Sequence, residues 1–392
     1  MQAPNPPNRL GTYVTTAVAG ETVRAFLPPP LPPSPELNLS GLHAQLDRAN
    51  QALGRLNGMT ALLPDVRFLL YLYVRKEALL SSQIEGTQSS FHDLLLFEND
   101  AVPRVPVEDV EEVSNYVAAM QHGLRRLRGG FPLSLRLIRE IHAILLRGGR
   151  GAGRTPGEFR RSQNWVGGNR PGNAAFVPPP PDRLLECLDR FERFLHSVDE
   201  RHPLPVLVVA GLAHVQFESI HPFLDGNGRV GRLLIPLLLC SAGVLTEPLL
   251  YPSLHLKTNR SQYYELLQRV RTEGAWEEWL EFFLLGLANA AEEAAQTAQR
   301  TVRLFASDRK KIAGLGRASA SALRVQEALQ RHPFARIGTI AKALRLSVPT
   351  VTSALHHLVE LGIVKEVSGK RRDRLFAYSR YVKIVSAGTE PL

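Results

Sequence analysis

Residues 221–232, His-Pro-Phe-Leu-Asp-Gly-Asn-Gly-Arg-Val-Gly-Arg, gather a histidine, a carboxylate, an amide and two arginines in twelve positions. These are the groups that phosphoryl chemistry asks for. A nucleotide carries several negative charges, and transfer requires charge to be stabilised as it develops on the phosphoryl group. Gly226 and Gly228 let backbone N–H groups approach phosphate oxygens. Asn227 adds an amide donor, and Arg229 and Arg232 add forked cationic donors. Asp225 is a hard oxygen ligand suited to a Mg²⁺ ion bridging two phosphates. His221, with an unperturbed pKa near ~6.5, can take a proton from an attacking hydroxyl. A helix starting at Gly228 would put Arg229 and Arg232 on one face of its N-terminus, the end whose dipole favours anions.

The run resembles the Fic family signature, His-Pro-Phe-x-[Asp/Glu]-Gly-Asn-Gly-Arg-x-x-Arg, at every defined position. The resemblance implies a nucleotidyltransferase that moves AMP from Mg-ATP to a Ser, Thr or Tyr hydroxyl of a target protein. In that reading His221 is the general base and Asp225 the Mg²⁺ ligand. Asn227 and the backbone of Gly226 and Gly228 hold the α-phosphate, Arg229 and Arg232 hold the outer phosphates, and Phe223 is a core anchor. Residues 157–160 (Gly-Glu-Phe-Arg), 164–167 (Asn-Trp-Val-Gly) and 176–179 (Phe-Val-Pro-Pro) look like the segment before the family's target-positioning flap. Residues 259–264 resemble the stretch closing the adenine pocket, so Tyr263 and Tyr264 are assigned to the nucleotide as a pair. Removal of AMP, and transfer of UMP, phosphate or phosphocholine, stay open.

Ser81 and Glu85 stand four apart, on one face near a helix end. On residue types alone, Glu85 is a solvated carboxylate. The run 81–86, Ser-Ser-Gln-Ile-Glu-Gly, resembles the inhibitory motif of Fic proteins, [Ser/Thr]-x-x-x-Glu-[Gly/Asn]. The resemblance implies that Glu85 pairs with Arg232 in place of the γ-phosphate. Losing a charge-assisted bond of about 1.5–3 kcal/mol would weaken competent ATP binding by roughly ten- to more than a hundredfold.

Near the other end, residues 337–344 and 348–361 form two helical patterns across a turn at 345–347. Ser347 is a cap, Pro349 suits a first turn, and Val351, Leu355 and Leu358 face a core. Thr350, Thr352, Ser353 and His356 then face outward, as a recognition helix presents polar groups to base edges. Arg371, Arg372 and Arg374 would stand at the tip of a wing and meet phosphates. This part resembles winged helix-turn-helix domains, which bind DNA or serve as protein-interaction modules. A second class of function follows: a DNA-binding transcriptional regulator with a Fic sensor.

The elements that must position these groups are mainly helical. Apolar spacing predicts helices from Leu42, Leu46, Leu53 and Leu56, from Pro64 towards Glu85, and over 107–127, 134–147, 182–197, 206–219 and 276–311. Residues 163–167 and 174–177 can pair as a short hairpin flap. The proline-rich stretch 28–35 reads as an extended arm on the surface or over a neighbouring helix. The expected fold is thus mainly α, a Fic helical core with a hairpin flap followed by a winged helix-turn-helix domain. The expected parts are 1–105 (arm and helices carrying the inhibitory motif), 106–290 (catalytic), 291–316 (linking helix) and 317–392 (winged helix).

A chain of 392 residues, 44% hydrophobic, is ample for more than one core. No apolar run spans a bilayer, since 233–245 is short and interrupted by Pro236 and Gly243. No charged-then-apolar leader opens the sequence, and Cys187 and Cys240 are its only cysteines. A reduced cytoplasmic compartment without a disulfide framework is expected. The net charge of +10 favours an anionic partner, nucleotide, nucleic acid or acidic protein. Homodimerisation stays open.

Overall fold

A computed structural model describes residues 9–18, 20–61, 65–99, 105–148, 151, 153–196, 204–370 and 372–391. The chain begins with a hairpin of β1 (Thr12–Val18) and β2 (Glu21–Leu27). Helices α1 (His43–Ala61), α2 (Arg67–Ile84), α3 (Phe91–Phe97), α4 (Val107–Arg128), α5 (Leu135–Leu145) and α6 (Pro181–His196) follow. Then come α7 (Val206–Ile220), α8 (Asn227–Ser241), α9 (Ser253–Thr258), α10 (Arg260–Glu273) and the long α11 (Trp276–Ala313). The last part holds α12 (Ser319–Arg331), β3 (Phe334–Arg336), α13 (Ile337–Leu344), α14 (Val348–Glu360), β4 (Lys365–Glu366), β5 (Leu375–Ala377) and α15 (Ser379–Val385).

Helix starts follow the capping residues. Ser90, Ser134 and Ser347 each accept a hydrogen bond from the backbone N–H three residues on, opening α3, α5 and α14. Gly86, at φ +101°, ends the turn after α2, a conformation that costs other residues a Cβ clash. Pro236 does not break α8, which runs through it to Ser241. The helix start expected at Pro64 lies outside the described residues; α2 is helical from Arg67.

The described chain divides into two compact units, residues 1–54 with 115–290, and 55–114 with 291–392; the division falls within α1, α4 and α11. In the first unit α7 is buried from Leu207 to Ile220 and packs against α6, α8 and α10. Gly211 lets α11 come close, since a Cβ there would meet Leu280 and Phe283 side-chain atoms at 2.8 and 3.0 Å. Trp279 Nε1 donates to Gly211 O at 2.9 Å across that contact.

Two expectations in this unit are corrected. The hairpin flap shrinks to one antiparallel bridge, Val166 with Phe176, because Pro171–Asn173 closes as a 3₁₀ turn instead of extending the strands. A full hairpin stands where an arm was expected: β1 and β2 pair antiparallel from Thr12↔Leu27 to Val18↔Glu21. Val18, Val23 and Ala25 bury against Val177, and Phe26 N donates to Val177 O at 2.9 Å. Pro28 and Pro29 lie buried after it, with Gln216 of α7 donating to Pro29 O at 2.8 Å, so the proline stretch does pack over a helix.

In the second unit, α12, α13 and α14 pack together and β3, β5 and β4 form an antiparallel sheet in that order. Val351, Leu355 and Leu358 are buried as their spacing requires. The sequence pattern gave no sign of β3 or α15. Asp308 of α11, buried, accepts from Tyr378 Oη at 2.9 Å and lies 3.2 Å from Lys311 and 3.5 Å from Arg380. Among the described residues no helix is long and apolar enough to cross a membrane.

Removing one donor from a buried carboxylate leaves desolvated charge behind. Tyr378→Phe is expected to lower stability by about 1.5–3 kcal/mol, checked as a drop in unfolding temperature by scanning calorimetry; an unchanged transition would count against the Asp308 network as a structural tie.

Candidate active site

The phosphate-type loop is set by how α7 ends. His221 is the C-cap of α7 in the left-handed conformation, φ 49° and ψ 59°, and its N–H donates to Phe217 O. The last carbonyls of a helix have no intrahelical donor, and here two buried arginines serve that end. Arg160 donates through Nε to His221 O at 2.9 Å and through its guanidinium to Pro179 O and Ile220 O, while its own N–H holds Pro222 O at 2.9 Å. Arg271 of α10 donates to Ser219 Oγ at 3.1 Å and Glu218 O at 3.4 Å, and its guanidinium lies 3.8 Å over the Phe176 ring. Burial pulls each guanidinium down to about 10, which leaves both charged at neutral pH. Positive charge at a helix C-terminus is favourable.

The loop is closed by side chains onto its own backbone. Asn227, buried, accepts from Phe223 N and donates to Phe223 O, both at 2.9 Å; Asn164 adds a second donor to Phe223 O at 2.9 Å. The Asn227 side chain thus holds the turn through its oxygen and one amide hydrogen, at the backbone N-terminus of α8. Gly226 stands at φ 75°, and α8 starts at Asn227, one residue before the expected start. Phe223 is a core anchor, as expected, stacked on His142 at 3.7 Å and 7°.

His142 fixes the acidic corner. Its Nδ1 accepts from Gly157 N at 2.8 Å, so its proton sits on Nε2, which donates to Asp225 O at 3.0 Å. Burial, with Arg229 nearby, lowers its pKa to about 4, so it is neutral at pH 7. His214 donates from Nδ1 to Gly231 O at 3.1 Å and accepts at Nε2 from Tyr263 Oη at 2.8 Å; burial, with Arg232 nearby, lowers it to about 3. Arg229 and Arg232 are buried, and Arg229 lies 3.5 Å from Asp225 Oδ1. The Asp225 side chain is 43% exposed, with Oδ1 accepting from Gly226 N at 2.6 Å. Two buried cations, two neutral histidines and a helix N-terminus together make an electropositive cradle with one open carboxylate at its lip.

Tyr263 is buried, bonded to His214 and packed near Trp279, whereas Tyr264 is 41% exposed with Arg260 over its ring. Ser81, buried in α2, and Glu85, the exposed C-cap of α2, belong to the second unit. Ser353 and His356 are exposed on α14, whereas Thr350 and Thr352 are half-buried and hydrogen-bond Ser347 and Val348. Arg372 is exposed and Arg374 half-buried between β4 and β5; Arg371 lies outside the described residues. Among the described residues no cluster of three or more His, Cys, Asp or Glu gathers for a metal. Sequence reading missed His142 and Arg271, took Arg160 as part of the segment before a flap, and placed Asn164 in the flap hairpin. The available signal was a polar residue on an apolar stripe: His142 among Ile138, Ile141 and Leu145, and Arg271 beside Leu267 and Val270.

The fold and cradle define a helical domain in which two buried arginines and a helix N-terminus follow a left-handed histidine. Residues 43–125 match the Fic/DOC family N-terminal region and residues 132–239 the Fic/DOC family, so the chain carries both of these domains. It is 36% identical over 168 residues to the protein adenylyltransferase Fic of Drosophila grimshawi and 35% identical to that of Drosophila melanogaster, in each case over 43% of this chain. The chain spans about a third of the length of these curated relatives, 32% and 31%. A Fic family protein from Desulfovibrio desulfuricans shares the fold at a TM-score of 0.57, with 19% identity, covering 90% of this chain and 98% of that one. Fic-1 of C. elegans, residues 134–508, does so at 0.50, with 21% identity, over 67% and 74%.

Because His142 is neutral in the fold and protonates readily when unfolded, its stabilisation is fully present above about pH 6.5 and lost as pH falls towards 4. That window should cost on the order of 3 kcal/mol. Denaturant titrations between pH 7 and 4 should show a flatter pH dependence for His142→Gln than for the native chain, and equal slopes would refute the assignment.

Proposed function

We propose that the chain is a protein adenylyltransferase, transferring AMP from ATP to a Ser, Thr or Tyr hydroxyl of a target protein. The observation that carries this is the closed loop 221–232, in which a histidine fixed at a helix end adjoins a cradle of buried arginines. The acceptor oxygen attacks the α-phosphorus, the bond from that phosphorus to the bridging oxygen breaks, and pyrophosphate leaves. His221 takes the hydroxyl proton. The N-terminus of α8, with Gly226 and Gly228, faces the α-phosphate, and Arg229 and Arg232 serve the outer phosphates. Asp225 would hold Mg²⁺, which neutralises charge on the phosphates; one open carboxylate fits an ion that takes one or two carboxylates plus substrate oxygens.

Residues 106–290 are read as the catalytic domain. Ser81 and Glu85 are read as an inhibitory pair that lowers its output, supported by the motif at 81–86. A cytoplasmic setting belongs to the same reading, supported by Cys187 and Cys240 both being free thiols. With α-labelled ATP and Mg²⁺, His221→Ala should abolish auto-labelling and Glu85→Gly should raise it roughly tenfold or more. Label that persists in His221→Ala would sink the catalytic assignment.

Residues 317–392 are read as a winged helix-turn-helix module contacting DNA through α14 and the loop between β4 and β5. The exposed Ser353, His356, Lys370 and Arg372 support this. Binding of the full chain to duplex DNA should weaken steeply with salt, and neutralising Arg372 and Arg374 should flatten that dependence. Salt-insensitive or absent binding would favour a protein partner.

A further inference from the structure

α2 runs directly into the inhibitory segment: Ser81 and Gln83 lie in its last turns and Glu85 is its C-cap. Gln83 is buried, and its amide donates to Ser89 O at 2.9 Å and to Thr389 O at 3.0 Å. Both amide hydrogens are thereby used. One bond fastens the turn after α2 back onto the helix. The other fastens it to the residues that follow α15. Those residues are themselves ordered, since the N–H and Oγ1 of buried Thr389 both donate to Ser386 O, at 3.1 and 2.7 Å. Tyr381 of α15, also buried, donates through its hydroxyl to Phe68 O in the first turn of α2. α15 and the segment after it therefore grip α2 at both ends.

Around Gln83 the packing is not matched by hydrogen bonding. Ser82 Oγ, Gln83 Oε1, Thr87 Oγ1 and Ser89 Oγ are buried and meet no hydrogen-bond partner among the described residues. Desolvated polar atoms without partners work against the conformation that buries them. A stretch with four of them opens more easily than the core around it. Contacts from outside the stretch keep it in place: Thr389 O on Gln83, and the Asp109 carboxylate on Gln88 N at 3.0 Å.

We infer that Gln83 and residues 386–391 form a latch that holds the 82–89 segment, Glu85 included, in its resting arrangement. The C-terminal segment thus regulates the active site, and this rests on the proposed activity and on Glu85 as its brake. A partner that draws α15 and the residues after it off α2 removes the acceptor at Gln83. The turn then rearranges and carries Glu85 with it, releasing the brake without any change in the 221–232 loop.

Gln83→Glu tests this with little change in size, setting a carboxylate against two carbonyl oxygens. In the full chain it should raise auto-labelling from α-labelled ATP about three- to tenfold, and add nothing to Glu85→Gly. A chain ending at Ser386 should behave the same way, and in both variants the amides of 82–89 should exchange hydrogen faster. Wild-type labelling and exchange in both, alongside an activated Glu85→Gly, would overturn the latch. If Glu85→Gly is itself no more active than wild type, the brake has failed, and the exchange rates alone decide whether the C-terminal segment holds 82–89. Should Gln83→Glu fail to fold, seen as no labelling even combined with Glu85→Gly, labelling and exchange in the shortened chain decide between latch and no latch.

Discussion

The loop 221–232 depends on the way α7 ends. A helix that stops at a left-handed histidine leaves carbonyls pointing into the protein interior, and these must be met by donors or the turn is lost. Arg160 and Arg271 meet them from opposite sides of the sequence, one before α7 and one after α8. Each gives up solvation to stay charged at a helix end, and the helix dipole offsets part of that cost. Because Arg271 also lies over Phe176, the same cation fixes the segment carrying the Val166–Phe176 bridge and the end of the helix bearing His221.

From that fixed end the charge pattern follows. His142 and His214 are buried as neutral rings, each in a defined tautomer, so they hold Asp225 O and Gly231 O without adding cations. The positive potential therefore belongs to Arg229, Arg232 and the N-terminus of α8. Asn227 and Asn164 stitch the backbone of Phe223 and so hold the turn from within. Preorganised donors of this kind cost no rearrangement when charge develops.

Local rules carried much of the architecture. Serine caps, a glycine stop after α2 and apolar spacing located most helices to within a residue or three, because those signals act over a few neighbours. The flap and the N-terminal hairpin were misjudged in opposite directions. Alternating β-branched residues in Thr12–Val18 become a strand only by pairing with Glu21–Leu27 and burying against Val177, whereas Pro171 turns the expected flap into a 3₁₀ corner.

By itself the sequence determined which groups stand near one another along the chain: the histidine, carboxylate and arginines of 221–232, and the motif at 81–86. Their spacing is covalent, so it survives any packing. Tertiary structure alone decided what each group is used for. Asn227 turned inward, Tyr263 became a core hydroxyl, and His142, Arg160, Asn164 and Arg271 entered the site from distant positions. Hydrogen-bond satisfaction in a desolvated interior is settled by partners tens of residues away, and a one-dimensional pattern does not contain them.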